Sequence, residues 1–288
     1  MIIVSYNVAD LLVRCLKSIL SQSNVSHEII VVDNASKDHT PEIVTEDFGG
    51  LKLIANEENV GFARANNMGL QASNGRYLYF LNPDTEVRPG ALRTIFDFVE
   101  GHPHVGVAGT RILNPDGSLQ PSVEKRYPGH RHAKKELQEL AGDIAWVSGA
   151  SIIARRDTAM SLGGFDEHFF LYAEEIDLCL RARKKGWLID YIPDAAVVHW
   201  GGQSEKGSRS AAVWKRKLDA EILFYRKHYK PATFKAIARS NVLQAYWRIF
   251  SLKMTLPFTK NRERVLAKLE KYRLVLDIFR HAKYAPIA

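Results

Sequence analysis

The stretch LYFLNPDTEV, residues 78–87, decides the fold class. Leu78 to Leu81 form an unbroken apolar run, the mark of a strand buried on both faces. It halts at Asn82-Pro83-Asp84, where Pro83 has no N–H to extend a ladder and Asn and Asp favour turns. Three comparable runs precede it: MIIVSY at 1–6, EIIVVD at 28–33 and LKLIA at 51–55. After the first, Leu11, Leu12, Cys15, Leu16 and Ile19 repeat at helical spacing; after the second, Pro41 marks the start of a short helix. A further helix, GFARANNMGLQAS at 61–73, closes at Asn74-Gly75. Such alternation predicts an α/β fold, a mostly parallel sheet flanked by helices, with ligands bound beyond the carboxyl ends of the strands. Tyr6, Asp33 and Asp84 all fall at such ends.

Beyond residue 105 the pattern loosens. VGVAGTRILNPDGSLQ (105–120) reads as a strand and a hairpin turning on Asp116-Gly117. Residues 121–142 are polar, and a mobile loop is expected there. WVSGASIIA (146–154) restores a strand. The segment 163–187 opens with a glycine turn, continues through an aromatic cluster and ends as a helix. LIDYI (188–192) and AVVHW (196–200) follow as two short strands.

The chain of 288 residues is 46% apolar and 25% charged, as expected of a soluble globular protein. Cys15 and Cys179 lie inside helical patterns with no metal-like spacing, and read as packed thiols of a reducing compartment. The chain opens on a strand rather than a signal peptide, so a cytoplasmic location is expected. The net charge of +8 conceals a division. Residues 205–288 hold 20 of the 40 Lys and Arg but 6 of the 32 Asp and Glu, a balance of +14 that leaves −6 on residues 1–204. The expected domains follow this division: a catalytic body, 1–204, and a basic helical extension, 205–288.

Several residues offer chemistry beside a plainer structural role. Asp84 can cap the next helix, or offer oxygens to a divalent cation that holds a diphosphate. Asp33 can cap its turn, or accept the ring N–H of a pyrimidine. Arg64 is an exposed helix charge, or a donor to a base carbonyl or phosphate. Glu174, Glu175 and Asp177 open a helix whose dipole favours acids there, and Asp177 is placed to pair with Arg181. Glu174 and Glu175, however, follow Phe169, Phe170, Leu171 and Tyr172. An acid among aromatics loses hydration and its pKa rises, which suits a general base. His199 ends an apolar strand, where neutral imidazole can complete a mixed N/O metal site.

VSYN, VVDNAS, NVGFARANN, LNPDTE, VSGA, GGFDEHFFLYAEEIDLCLR and VVHWGGQS occur in this order over residues 3–204. Together the chain resembles the family 2 inverting glycosyltransferases, above all the bacterial branch that transfers rhamnose in cell-surface polysaccharide synthesis. The resemblance implies a GT-A nucleotide-sugar-binding fold, a Mg²⁺ or Mn²⁺ cofactor, a nucleotide-sugar donor such as dTDP-rhamnose, and a glycan or polyprenyl-diphosphate-linked acceptor. It places Tyr6, Asp33, Asn34, Arg64 and Asn82 at the nucleotide, and Asp84 and His199 at the metal. Asn82 stands where the family carries the first acid of its Asp-x-Asp, leaving Asp84 as the charged ligand. Glu175, or Glu174 beside it, takes the place of the base. Trp146, Ser148, Gly149 and Asp166 fall where relatives line the donor sugar and acceptor.

In the basic tail Leu243, Trp247, Phe250 and Met254 form one amphipathic stripe, and Val265, Leu269, Tyr272, Leu276 and Phe279 a second. These stripes can dock on the catalytic body, join two subunits as a homodimer, or lie on an anionic membrane surface at the inner face of the plasma membrane. Rival readings are a catalytically silent nucleotide-binding scaffold, suggested by Asn82, and nucleic-acid binding through the tail. The second leaves the strand-end carboxylates unexplained, and no nucleic acid partner is expected. A nicotinamide enzyme is disfavoured by a first turn, SYNVAD, without its glycines.

Overall fold

A computed structural model of the chain describes residues 1–23, 25–201 and 210–282. It divides into two compact units, Met1–Tyr127 with Leu140–Lys206, and Pro128–Glu139 with Gly207–Ala288. The expected boundary between residues 204 and 205 lies outside the described residues, as do Gly202, Gln203 and Ser204 of the last motif.

The first unit begins with β1 (Ile2–Ser5), α1 (Ala9–Leu20), β2 (Ile30–Asp33), α2 (Thr40–Glu46), β3 (Lys52–Ala55), α3 (Phe62–Ala72) and β4 (Tyr77–Leu81). These four strands run parallel in the order β3-β2-β1-β4. The chain continues through β5 (Thr85–Val87), α4 (Ala91–Gly101), β6 (Val105–Leu113), β7 (Leu119–Gln120) and β8 (Val123–Glu124). After α5 (Lys134–Leu137), which belongs to the second unit, come β9 (Trp146–Val147), β10 (Ser151–Arg155), α6 (Arg156–Ser161), α7 (Glu174–Lys184) and β11 (Leu188–His199). Beyond β4 the sheet adds β10, β6, β11 and β5. Because β10 runs antiparallel to both neighbours and β5 antiparallel to β11, the sheet is mixed.

Period-two alternation explains why unbroken apolar runs are needed. Ile3, Val31, Tyr79 and Leu81 face Leu12, Leu16, Ile95 and Val99 of α1 and α4. Ile2, Val4, Ile30, Leu78 and Phe80 face the other layer, with Ala63, Ala65 and Leu70 of α3 and Leu178 and Cys179 of α7. Each strand therefore buries both faces. A Cβ on Gly69 would strike Ile2 Cγ2, so α3 comes as close to β1 as it does only because glycine stands there. Cys15 and Cys179 are buried free thiols, each pushed up to about 12 by burial.

One expectation is corrected. LIDYI and AVVHW belong to one strand, because β11 keeps its parallel pairing with β6 across a register shift between Ile192 and Ala196. Pro193, which cannot donate to a ladder, sits in that bulge. Residues 121–142 also hold ordered elements. They contain β8, α5 and the buried Tyr127, whose hydroxyl donates to Ala145 O at 2.6 Å. The hairpin on Asp116-Gly117 forms as expected, with Gly117 at φ 83°.

The second unit is helical: α5, α8 (Ser210–His228), α9 (Pro231–Thr255) and α10 (Arg262–Ala282), with α10 packed on α8 and α9. Leu269, Val275 and Phe279 of α10 are buried, whereas the stripe on α9 remains exposed. Among the described residues no helix is long and apolar enough to cross a membrane.

Candidate active site

The carboxyl ends of β1 and β2 are laced together. Ser5 pairs with Asp33 in the ladder, Asn7 N donates to Ser36 Oγ at 2.9 Å, and Asn7 Oδ1 accepts Lys37 N–H at 2.7 Å. Tyr6 lies half-buried between them. Asp33, 1% exposed, accepts the Ser36 amide (3.0 Å) and hydroxyl (2.5 Å), so it does cap its own turn. A carboxylate oxygen has a second lone pair, which leaves acceptor capacity for a base. Asn34 donates to Gly61 O at 3.1 Å and accepts from Asn56 at 2.9 Å, tying β2 to the start of α3. Arg64 is exposed and lies 3.8 Å from Glu167, a loose pair that costs little to exchange for a ligand.

The end of β4 meets β11 because the β5–β11 register sets His199 opposite Thr85. That places His199 Nε2 3.3 Å from Oδ1 of Asp84, which is 5% exposed. Gln120 fixes the imidazole. Its amide nitrogen donates to Asn114 Oδ1 and to His199 O, both at 2.7 Å, so its oxygen must accept from His199 Nδ1 at 3.1 Å. In the neutral ring the Nε2 lone pair then faces the Asp84 carboxylate. Two electron-rich atoms converge on one point, an arrangement that a cation resolves. Two cis ligands at about 2.1 Å from one octahedral ion stand about 3 Å apart, so the spacing fits. Among the described residues no group of three or more His, Cys, Asp or Glu side chains is placed to hold an ion.

The acidic pair sits at the start of α7. Tyr172 and Ala173 precede it at φ 76° and 65°, two successive non-glycine residues in the left-handed region. Each costs on the order of 1–3 kcal/mol, a strain retained where surrounding structure over-determines it. The surrounding structure here includes Phe62 N–H donating to Phe170 O at 2.7 Å, beside Gly61 at φ 87°. A Cβ on Gly61 would lie 2.8 Å from that same oxygen.

The strained turn gives the two acids different surroundings. Glu174 is 4% exposed, and Oε2 has no hydrogen-bond partner. Burial, then the neighbouring Glu175, raises its carboxyl well above the usual range. Glu175 is half-buried and lies over Gly149: a Cβ there would be 3.7 Å from the Glu175 carboxyl carbon. Asp177 is fully buried and paired with Arg181 at 2.6 Å, as its spacing predicts. Asn82 N donates to Ala150 O at 3.1 Å. One continuous path therefore runs from Glu175 through Gly149, Ala150 and Asn82 to Asp84 and His199.

The raised Glu174 has a consequence for stability. The native state holds its proton at a pH where the unfolded chain has lost it, so stability falls as pH rises from the ordinary carboxyl value of 4.5 toward the folded value. Glu174→Gln removes that loss. The variant should gain thermal stability over the wild type as pH is raised from 5 to 8, with up to about 1.4 kcal/mol of gain per pH unit while the group titrates. Parallel melting curves check the sign; an equal or larger loss in the variant at alkaline pH contradicts it.

Among the remaining expected residues, Ser148 N donates to Ser122 O at 2.9 Å and Trp146 Nε1 to Arg126 O at 3.2 Å, holding the β8–β9 ribbon beside Gly149. Asp166 Oδ1 pairs with His168 Nδ1 at 2.7 Å. Gln120 was not anticipated, nor was Glu86, which accepts from Trp200 Nε1 at 3.1 Å while Arg14 stacks on that indole at 4.9 Å. The only signal for Gln120 is its place on the return strand of the predicted hairpin.

The chain belongs to glycosyl transferase family 2, which it matches over residues 1–163, and its fold is the GT-A arrangement. It is 28% identical over 226 residues to N-acetylglucosaminyl-diphospho-decaprenol L-rhamnosyltransferase of Mycobacterium tuberculosis, covering 68% of this chain and 74% of that protein. It is 25% identical over 262 residues to rhamnosyltransferase WbbL of Escherichia coli K12, covering 84% of this chain and 93% of the other. Among solved structures it resembles mannosyltransferase PcManGT from Pyrobaculum calidifontis in complex with GDP-Man and Mn²⁺. The TM-score is 0.62 at 19% identity, with 99% of this chain and 87% of that chain covered.

Proposed function

We propose that this glycosyltransferase is metal-dependent and inverting, and that it moves rhamnose from dTDP-rhamnose to a lipid-linked glycan in cell-surface polysaccharide synthesis. The observation that supports the reading is the path from Glu175 to the Asp84–His199 pair, which would put a base at one end and a cation at the other. The rhamnosyltransferase relatives support the sugar, and the relative named for a diphospho-decaprenol substrate supports the acceptor.

The donor base would be read by Asp33 and Tyr6 at the ends of β2 and β1, with Arg64 free to leave Glu167 for a phosphate. Asp84 and His199 would hold a divalent cation, which supplies charge neutralisation for the departing diphosphate. Glu175 accepts the proton of the acceptor hydroxyl as its oxygen bonds to the anomeric carbon and the carbon–oxygen bond to the diphosphate breaks. A single displacement from the face opposite the leaving group inverts the anomeric configuration. A glycosidase would instead need two carboxylates flanking the scissile bond. Here the other acid of the pair, Glu174, is buried.

The test is a panel of nucleotide sugars offered with a polyprenyl-diphosphate-linked acceptor, scored by release of nucleoside diphosphate with Mg²⁺, with Mn²⁺ and with chelator. Turnover is expected for dTDP-rhamnose with metal, and a product of inverted configuration. Turnover of another donor alone overturns the choice of sugar. Retention of configuration overturns the mechanism.

A further inference from the structure

We infer that the outward face of α9 seats the second unit on an anionic lipid membrane. The inference rests on that unit alone and holds whichever donor the active site uses. The two amphipathic stripes of the tail have separate fates. On α9 itself Ile237, Ala238 and Ala245 are buried, so this helix already has an inward face. Leu243, Trp247, Phe250 and Met254 point elsewhere and are 58–69% exposed, and Phe258, just past the helix, is 86% exposed. The rings of Trp247 and Phe250 stand 6.2 Å apart. Scattered exposed apolar side chains are ordinary, but a continuous file of large ones marks an interaction surface.

Charge identifies the occupant. α9 carries Lys235, Arg239, Arg248 and Lys253 and no acidic residue. At about 100° per residue, Arg239 and Lys253 lie along one side of the apolar file. Beside the file lies a groove of about 900 Å³ to which Arg239, Leu243, Tyr246, Arg273 and Arg280 contribute. Its one carboxylate, Asp277, is 3.3 Å from His281. Guanidinium groups match phosphate geometry, and long basic side chains reach headgroups while their stems lie on apolar surface. An apolar file edged on one side by Arg239, Lys253, Tyr246 and the groove arginines can bury its large side chains in the bilayer interface while the cations meet the headgroups. A second copy of the chain would bring this charge against its like, since residues 205–288 carry +14. An anionic surface meets it with opposite charge.

The full chain should sediment with vesicles of phosphatidylcholine and phosphatidylglycerol and much less with phosphatidylcholine alone, with binding weakened by high salt. Trp247→Glu with Phe250→Glu, both at exposed positions, should lower the partition coefficient at least tenfold. Arg239→Gln with Arg273→Gln should lower it by about fivefold per residue on anionic vesicles only. Nucleotide affinity and melting temperature should be unchanged in both variants. Equal binding by Trp247→Glu/Phe250→Glu, or no sedimentation of the wild type with anionic vesicles, overturns the inference. So does a wild-type dimer in solution that the same variant dissociates, because the stripe then belongs to a second copy.

Discussion

Glu175→Gln is expected to lower turnover by about 10²–10⁴-fold, the usual contribution of a general base, equivalent to about 3–5 kcal/mol of barrier. Affinity for the nucleoside diphosphate should be unchanged, because the amide keeps the shape of the carboxyl and Glu175 lies over Gly149 rather than beside Asp33. Glu174→Gln is the necessary companion. Glu174 is buried at the start of the same helix, so a site that uses it as the base would lose activity there instead. Rates under donor and acceptor saturation, with calorimetric nucleotide binding, separate the two. A dead Glu174→Gln beside a working Glu175→Gln assigns the base to Glu174. Two active variants remove the base from α7 altogether, and with it the displacement derived above.

The second large effect is expected of Asp84→Ala. Metal-stimulated turnover should vanish, and Mn²⁺ affinity in the presence of nucleoside diphosphate, read by electron paramagnetic resonance, should fall with it. Gln120→Leu should produce a graded version. It leaves both ligands in place but releases the imidazole tautomer, and partners of ligating histidines are commonly worth about 10–100-fold in metal affinity. A merely structural Gln120 would lower stability without moving Mn²⁺ affinity. Full activity in Asp84→Ala, or wild-type turnover that ignores chelator, would falsify the metal role.

Much of this site was legible because its residues mark the ends of apolar runs, and the end of a strand is a local property. Tyr6, Asp33, Asp84 and His199 could each be placed at a strand terminus without knowing which strands touch. What could not be read were the pairings. That His199 opposes Thr85, or that Gln120 reaches His199, depends on register between segments 79 or more positions apart. Nothing near β10 announces that it inserts antiparallel between β4 and β6. The acidic pair shows another limit. Aromatic neighbours signal lost hydration, but Phe169 is buried while Phe170 is half exposed, and the backbone turn at Tyr172–Ala173 decides which acid is enclosed. In the tail, both stripes have helical period and similar composition, so periodicity alone could not tell the one that packs from the one that faces outward.

The strand order also has a bearing on how the molecule comes into being. The β3-β2-β1-β4 half of the sheet closes through short βαβ loops and is complete once residue 81 has been made. Asp84 then waits for His199, 115 positions later, and for the insertion of β10 and β6 in between. At about 5–20 residues per second on the ribosome that interval lasts roughly 6–23 s, far longer than helix or hairpin formation takes. The nascent chain would thus carry a formed Asp33 edge, the proposed nucleotide contact, well before it owns the histidine of the proposed cation site. On the proposed roles, vectorial synthesis would build the half that recognises the donor first and the half that can consume it last.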